Sequence, residues 1–574
     1  NEEGRVEGAD GRARTFIPRM PATAETTSLS LVLPVRGRVL RDEEGRLANP
    51  RGWSRRLGPE GRLGRLVDFA QTASATGGQL TLLVDPAVLD AAASIANGNP
   101  PLSTGPTDVA GPAGDTEPSA SPSEPPPDDA DTDEEAAELE PDAQRAADWL
   151  AELTEVAEEN TTLAVAYADA DAASLYRNDY GNLFERATKL SADTMATYGV
   201  DAEPVVAPSS GYLPNDTLNR LDSSAPLLLS DRAAPDATNS LVRTRHGHET
   251  LLTDSAASSG GPAPGRPYAA LAMRQRILAE AAVHSLGDTA DQPMVVKLPE
   301  RWTPDRAWSS ASFFTGIDLP WLRTVDVPTA RNLVGPFATR GDAYDRPLAY
   351  PRAERRAELP TGNLVAAAEL NDVGQVFASL LTRNDTVDEQ LAEIAMSAVS
   401  SQARRRPRPA VNAVRRTSEQ VHGALDRIRI EGPPSVTMSS AEGSFQVTVV
   451  NDLEEPVTVG IRANTGSPDL VIPDTDPVEL GPRQRATVRL SATATNIGVR
   501  SVILVPTTVD GKPVGNSTKF SVRSSQVGLV IWIIMGAGAI VLFGAIALRI
   551  VRRVRAARGA QRSTPEPVDE GDTT

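Results

Sequence analysis

Residues 527–548, VGLVIWIIMGAGAIVLFGAIAL, are 22 consecutive uncharged and mostly apolar positions. At about 1.5 Å per residue, a helix of that length crosses a hydrocarbon core of roughly 30 Å. A buried helix of a soluble domain is shorter and is not followed by a one-sided basic cluster. Here Arg549, Arg552, Arg553, Arg555 and Arg558 follow at once in RIVRRVRAARGAQR. The positive-inside rule puts that flank, 549–574, in the cytoplasm and everything before residue 527 outside. The expected placement is a single-pass plasma-membrane protein with its amino-terminal bulk extracytoplasmic and the lipid bilayer as one partner. Exporting that bulk requires a signal sequence. The chain opens NEEGRVEGADGRARTF, without Met and without an apolar h-region, so the leader is expected to have been removed.

The exported part is too long for one core, since 574 residues imply two to four domains. A net charge of −19 argues against a nucleic-acid partner, because phosphate binding needs clustered positive charge. The absence of cysteine excludes disulfides, iron–sulfur clusters and thiol catalysis. No cofactor is expected.

Composition divides the exported part further. Residues 1–26 are polar and irregular. Residues 27–330 alternate short apolar runs, read as strands at 28–35, 79–85, 161–169, 203–208, 226–231, 293–299 and 321–327, with helices near 61–75, 86–96, 141–159, 171–198, 213–222 and 266–286. Near-continuous apolar strands separated by helices imply parallel strands buried on both faces, hence a (β/α) barrel-like domain of seven units. An acidic insertion, 97–143, has no Lys or Arg, and 13 of its residues between Asp108 and Asp142 are acidic. It cannot bury enough surface to offset its ordering entropy and is expected to be disordered, either as a surface loop or as an acidic spacer or interaction segment. Residues 331–426 form a helical extension with apolar spacings of three and four. Its basic run SQARRRPRP, 401–409, reads as a solvated loop or as a face for anionic glycan or lipid. Residues 427–523 change to period two and fit an immunoglobulin-like β-sandwich of about seven strands. The sandwich would either bind glycan or protein or serve as a spacer above the bilayer.

Candidate chemistry lies at the strand ends. In VDPAVLDAAA, Asp85 can cap a helix whose first position is Pro86, and the capping role is preferred over a catalytic one. YADADAASL places Asp169 and Asp171 two apart, suited to acid–base work, to a cation, or to starting the next helix. SDRAAPD gives Asp231, and KLPERWTPD gives Glu300. Together these five would form an acidic ring on the carboxyl face of the barrel. RHGH places His246 and His248 on one side of an extended segment, where they could share a metal, but no third ligand follows at a recognised spacing and solvent-exposed loop histidines are the preferred reading. No glycine-rich phosphate loop, G-x-S-x-G elbow or dinucleotide fingerprint is present.

The blocks LPVRGRVL, GRLGRLVDFA, LTLLVDPAVLDAA, LAVAYADADAASL and VTVVNDLEEPVTVGIRA, in that order before a terminal span, resemble an uncharacterised actinobacterial family. Its members are exported, membrane-anchored envelope proteins, often encoded beside the lipid II flippase of peptidoglycan synthesis. The resemblance covers about residues 15–550. It implies a further β-sandwich ahead of the barrel, of which GRVEGADGRARTFIP resembles the last part, and it supplies no catalytic residues. The barrel is also distantly similar to polysaccharide deacetylases and to one glycoside hydrolase group. The deacetylase pattern needs an Asp and two histidines on one helical face, which this chain lacks. The hydrolase pattern needs a carboxylate after a middle strand, where this chain has VVAPSSGYLP.

The expected function is a non-enzymatic envelope protein that binds glycan or a membrane partner of peptidoglycan precursor synthesis or export, such as the lipid II flippase. The alternative is a membrane-tethered polysaccharide hydrolase using carboxylates among Asp85, Asp169, Asp171, Asp231 and Glu300. That alternative needs two carboxyls about 5 Å apart for retention or about 6.5–9.5 Å apart for inversion. A bare spacer, the third option, needs no concave pocket.

Overall fold

The computed structural model describes residues 14–21, 26–107, 130–262, 266–287, 290–304, 310–338, 343–524 and 527–559. Most of segment 1–26, the middle of the acidic insertion (108–129) and the end of the tail (560–574) lie outside the described residues. The chain divides into two compact units. One comprises 1–378 with 383–423, and the other comprises 379–382 with 424–574.

The first unit is built on β1 (Thr27–Val35), β2 (Thr81–Val84), β3 (Thr161–Ala164), β4 (Glu203–Pro204), β5 (Leu227–Ser230), β6 (Leu241–Thr244), β7 (Glu249–Thr253), β8 (Met294–Lys297), β9 (Leu322–Thr324) and β10 (Ala343–Tyr344). β4, β3, β2, β1 and β8 run side by side and parallel. A second sheet runs β10-β6-β7-β5, with β5 and β7 parallel. Three hydrogen bonds join the two sheets into a ring. Val206 N–H donates to the Pro226 carbonyl at 3.0 Å and Leu228 N–H to the Val206 carbonyl at 3.1 Å, linking β4 to β5; Asp254 N–H donates to the Val295 carbonyl at 2.7 Å, linking β7 to β8. The wall strands send Val32, Leu83, Leu163, Leu228, Leu251 and Val295 into a common core, joined by Val205 one residue beyond β4. The interior is therefore packed, as barrels of this size require.

The seventh wall strand is β7, not 321–327. β9, within that stretch, pairs only with the first residues of β1. It leads into the helix Val327–Ala338, whose Val327, Ala330 and Val334 join the core and fill the amino-terminal end of the barrel. Asp326 fixes this plug, accepting from Thr329 N–H at 2.9 Å and from the Thr161 hydroxyl at 2.6 Å. WLRTVDV has the composition of a wall strand but is spent on closing the barrel floor.

Two other expectations need correction. Residues 130–143 are helical, continuous with a helix Ala130–Glu159. Its run of Ala, Glu and Leu has high helix propensity, and Trp149, Leu153 and Val156 are buried. Residues 97–107 are tied down, with Leu102 N–H on the Glu44 carbonyl at 2.7 Å and Ser103 N–H on Gln390 Oε1 at 2.9 Å. The single helix expected over 171–198 is two, Ala172–Arg177 and Gly181–Thr197, broken where Asp179 takes φ of 64°.

The second unit is a sandwich of β11 (Ile428–Glu431), β12 (Ser435–Met438), β13 (Glu442–Asn451), β14 (Val457–Asn464), β15 (Leu470–Val471), β16 (Val478–Leu480), β17 (Arg485–Ala494), β18 (Gly498–Thr507) and β19 (Thr518–Ser524). The sheets run β11-β13-β17-β15 and β12-β19-β18-β14-β16. Val447, Val449, Leu490, Val502 and Leu504 are buried, and Phe445 and Phe520 meet edge-on at 5.2 Å. About seven strands were expected because β15 and β16 are too short to show a period. The chain then enters the helix Val527–Gly559, which alone among the described residues is long and apolar enough to cross a membrane. Arg549, Arg552, Arg553 and Arg555 are exposed on its last turns, and the helix backbone continues through Arg558.

Candidate functional site

The carboxyl ends of β1, β3, β4 and β8 surround a cleft of about 800 Å³. At its base lies Arg36, one residue beyond β1, with its side chain only 1% exposed. Arg36 Nη1 donates to Asp169 Oδ1 at 3.0 Å, to the Ser209 hydroxyl at 3.1 Å and to Glu300 Oε1 at 3.2 Å. Its Nη2 donates to the Ala207 carbonyl at 2.7 Å. Asp169 Oδ2 accepts from Ser209 at 2.7 Å, from the Ser401 hydroxyl and from Gln402 Nε2 at 3.3 Å. Gln402 Nε2 also lies 3.3 Å from Glu300 Oε2. The backbone is strained here: Ala168 and Asp169, neither a glycine, both take left-handed φ, 58° and 51°. Such strain persists only where surrounding contacts over-determine it.

Ser401 and Gln402 arrive on the connection between the helices Val387–Val399 and Pro407–Leu425. That connection is pinned to the end of β3 by Asp171 N–H on the Val399 carbonyl at 2.8 Å and by a bridge between Ala170 and Ser400.

Lys297, the last residue of β8, donates to the Pro208 and Ser209 carbonyls at 3.2 and 3.3 Å. Burial, together with Arg36, pulls its ammonium down to about 8, against the opposing pull of Glu300 and Asp169. Burial raises the Asp169 carboxyl; Arg36 works against this and Glu300 adds to it. For Glu300 burial acts upward, but Arg36 and Lys297 hold it below the ordinary carboxylate range.

Asp85 does cap its helix, accepting from Ala87 N–H at 3.2 Å. It is also fully buried with Oδ2 lacking a hydrogen-bond partner. Desolvation and Asp169 raise its carboxyl well above the usual range. The direction is that of a buried carboxyl with one oxygen unpartnered, since an isolated buried charge is costly.

Of the five acidic candidates, Asp169 and Glu300 meet on Arg36, while Asp85 is a buried helix cap that feels the Asp169 charge without touching the group. Asp171 lines the same cleft but is committed elsewhere. It caps the helix Ala172–Arg177 through Ser174 N–H at 3.2 Å and takes a two-pronged contact from Arg404 at 2.7 and 2.6 Å. Asp231 stays out of the group; its Oδ1 turns back onto Arg232 N–H at 2.8 Å and the Ser230 hydroxyl at 2.9 Å. The continuous acidic ring is therefore reduced to one cluster.

The histidine pair does not form either. RHGH is the hairpin turn between β6 and β7, with Gly247 at φ 91°, rather than an extended segment. His248 is buried and its Nε2 meets the Leu218 carbonyl at 2.9 Å, while half-exposed His246 takes Arg245 Nε–H at 2.8 Å. Among the described residues no group of three or more His, Asp or Glu is placed to hold a metal.

Arg36, Ser209, Ser401 and Gln402 were not anticipated. Arg36 stood in LPVRGRVL and Ser209 in VVAPSSGYLP, both at strand ends, which was the one signal available. Ser209 lies after β4, the kind of position at which the hydrolase pattern calls for a carboxylate.

The chain matches a family of unknown function, DUF6049, over residues 5–566, and belongs to it. No curated protein matches it. Among solved structures, the α-amylase AmyC from Thermotoga maritima is similar at 9% identity, covering 70% of this chain and 93% of its own, with a TM-score of 0.38. The CARDB domain of PF1109 from Pyrococcus furiosus is similar at 19% identity, covering 17% of this chain and 93% of its own, TM-score 0.13. A FixG-related protein from Vibrio parahaemolyticus is similar at 10% identity, covering 15% and 79%, TM-score 0.13.

Proposed function

We propose that this DUF6049 member is a membrane-anchored, extracytoplasmic cell-envelope protein whose barrel cleft binds a glycan without cleaving it. The observation that carries the reading is the state of Asp169. Both of its oxygens are occupied, by Arg36 on one side and by Ser209, Ser401 and Gln402 on the other. A nucleophile or general acid needs an oxygen free to face the substrate. Asp171, equally engaged by Arg404, cannot substitute. What the cleft offers instead is a pre-set floor in which the partly exposed Glu300 carboxylate and the Gln402 amide can meet sugar hydroxyls.

The membrane anchor is the helix Val527–Gly559, and the arginines after Leu548 support a cytoplasmic tail. The protein partner in this reading is a component of peptidoglycan precursor export, such as the lipid II flippase. A glycan array on the full chain in detergent tests the cleft: retention of envelope oligosaccharides, lost in Gln402→Ala, is expected, and no retention overturns the reading. Capture of flippase or synthase components with the span intact tests the partner. Protease added to intact cells tests orientation, because it should digest the barrel and spare the tail.

The hydrolase reading is favoured by one observation. Asp169 and Glu300 share a single guanidinium nitrogen, which holds their oxygens closer than the roughly 6.5 Å at which inverting pairs begin. New reducing ends released from envelope polysaccharide, abolished by Glu300→Gln, would establish it.

A further inference from the structure

The cleft carries more cations than its carboxylates answer. Arg36 is matched by Asp169 and Glu300, and Arg404 by Asp171 and Glu354. Four other arginines belong to the same region: Arg38, Arg301, Arg405 and Arg406 all line the cleft. They come from three distant segments, after β1, after β8 and on the helix connection that delivers Ser401 and Gln402. Among the described residues none of the four has a carboxylate partner.

Arg38 is the most informative. It is half-buried, its Nη2 is on the Arg406 carbonyl at 2.7 Å, and its Nε is buried with no partner. Burial and the neighbouring Arg406 guanidinium both push its pKa below the ordinary value. A half-buried guanidinium with a second cation nearby favours an anion beside it. The chain as a whole carries −19, so this concentration of cations runs against its general charge.

We infer that the cleft mouth is an anion subsite and that its ligand is a phosphoryl-bearing glycan, with the phosphoryl or pyrophosphoryl group among Arg38, Arg301, Arg405 and Arg406 and the sugar inward against Glu300 and Gln402. This rests on the glycan-binding reading and specifies its ligand class. A single carboxylate offers one charge and two coplanar oxygens, which satisfies one guanidinium fork. Four arginines from three segments, Arg38 half-buried and Arg301, Arg405 and Arg406 exposed at the rim, suit a group with several oxygens on different faces and two or more charges. No bond is made or broken in this step.

The test is calorimetric titration of the full chain in phosphatidylcholine nanodiscs with N-acetylglucosamine 1-phosphate, inorganic pyrophosphate, the neutral trisaccharide of N-acetylglucosamine, and trigalacturonate. The two phosphate probes are expected to bind and to weaken with added salt. Arg405→Ser with Arg406→Ser, and separately Arg38→Gln, should each weaken them by about tenfold or more, the scale of a lost hydrogen bond to a charged group. Exposed Arg489→Ser, in the sandwich, should change nothing. Binding of the neutral trisaccharide alone overturns the inference and leaves the glycan reading standing. Binding of no probe removes both. Trigalacturonate bound as tightly as the phosphates, or phosphate binding indifferent to all three arginine changes, overturns the phosphoryl assignment. Phosphatidylglycerol vesicles bound in place of the soluble phosphates would assign the patch to lipid and overturn it as well.

Discussion

Arg36 and Asp169 meet at 3.0 Å across 133 residues of chain, both all but sealed from water at the carboxyl end of the barrel. The pair is the hub of the cleft floor, because Ser209, Glu300, Ser401 and Gln402 each touch one or both of its members.

Removing the hub cation leaves two carboxyls without their counter-charge. Arg36→Met is expected to destabilise the barrel by about 3–5 kcal/mol, the range for breaking a buried pair from one side. Arg36→Lys keeps the charge but loses the fork, and should fall between. Urea unfolding followed by tryptophan fluorescence measures this for the barrel, because five of the six tryptophans precede residue 330 and the sixth, Trp532, is in the apolar terminal helix.

Asp85 separates capping from charge. Its folded carboxyl sits well above the usual range through burial and Asp169, so the folded state holds a proton that the unfolded state releases. Its contribution to stability therefore declines as pH rises above the unfolded carboxyl value of about 4. Asp85→Asn keeps the cap and removes the decline, so at pH 8 it should match or exceed the parent. Asp85→Ala loses the cap and should cost about 1 kcal/mol. Denaturant midpoints at pH 5 and pH 8 distinguish the two.

A second buried network predicts a slope nearer neutrality. Glu393 pairs with Arg41 at 2.9 Å, and burial pushes its carboxyl up to about 7, with Arg41 opposing and Asp90 assisting. The folded state again binds the extra proton, so stability should fall between about pH 4.5 and pH 7 and level off above. Glu393→Gln should flatten that interval, as melting temperatures across the range would record.

Lys297 can be watched directly, since the chain has only four lysines. Burial and Arg36 set its ammonium at about 8, so its side-chain NMR signal, assigned with Lys297→Arg, should titrate there rather than near 10.4. A midpoint above 10 would show that the amine is solvated and that the β8 end is open.

Local signals were legible and ring closure was not. Asp85 before Pro86 declared a cap because both partners of the cap lie within three residues. Leu29, Leu31, Val32 and Leu33 announced β1 by being apolar on both faces. ETLLT, which became β7, is no more strand-like than WLRTVDV. The pairing of β7 with β5 and the hydrogen bond from Asp254 to Val295 show which of the two completes the wall. The site was harder still. Arg36, Ser209, Glu300 and Gln402 sit on four separate connections, so no spacing along the chain announces them. The arginine run at 404–406 was conspicuous, but its position at the cleft depends on the bridge from Ser400 to Ala170.

That bridge has a thermodynamic corollary. The stretch from Ser401 to Arg406 is at once a wall of the cleft and the link between two helices, so filling the one must stiffen the other. By linkage, any ligand gripped there raises the melting of the helices Val387–Val399 and Pro407–Leu425, and any factor that loosens those helices relaxes the grip by an equal free energy.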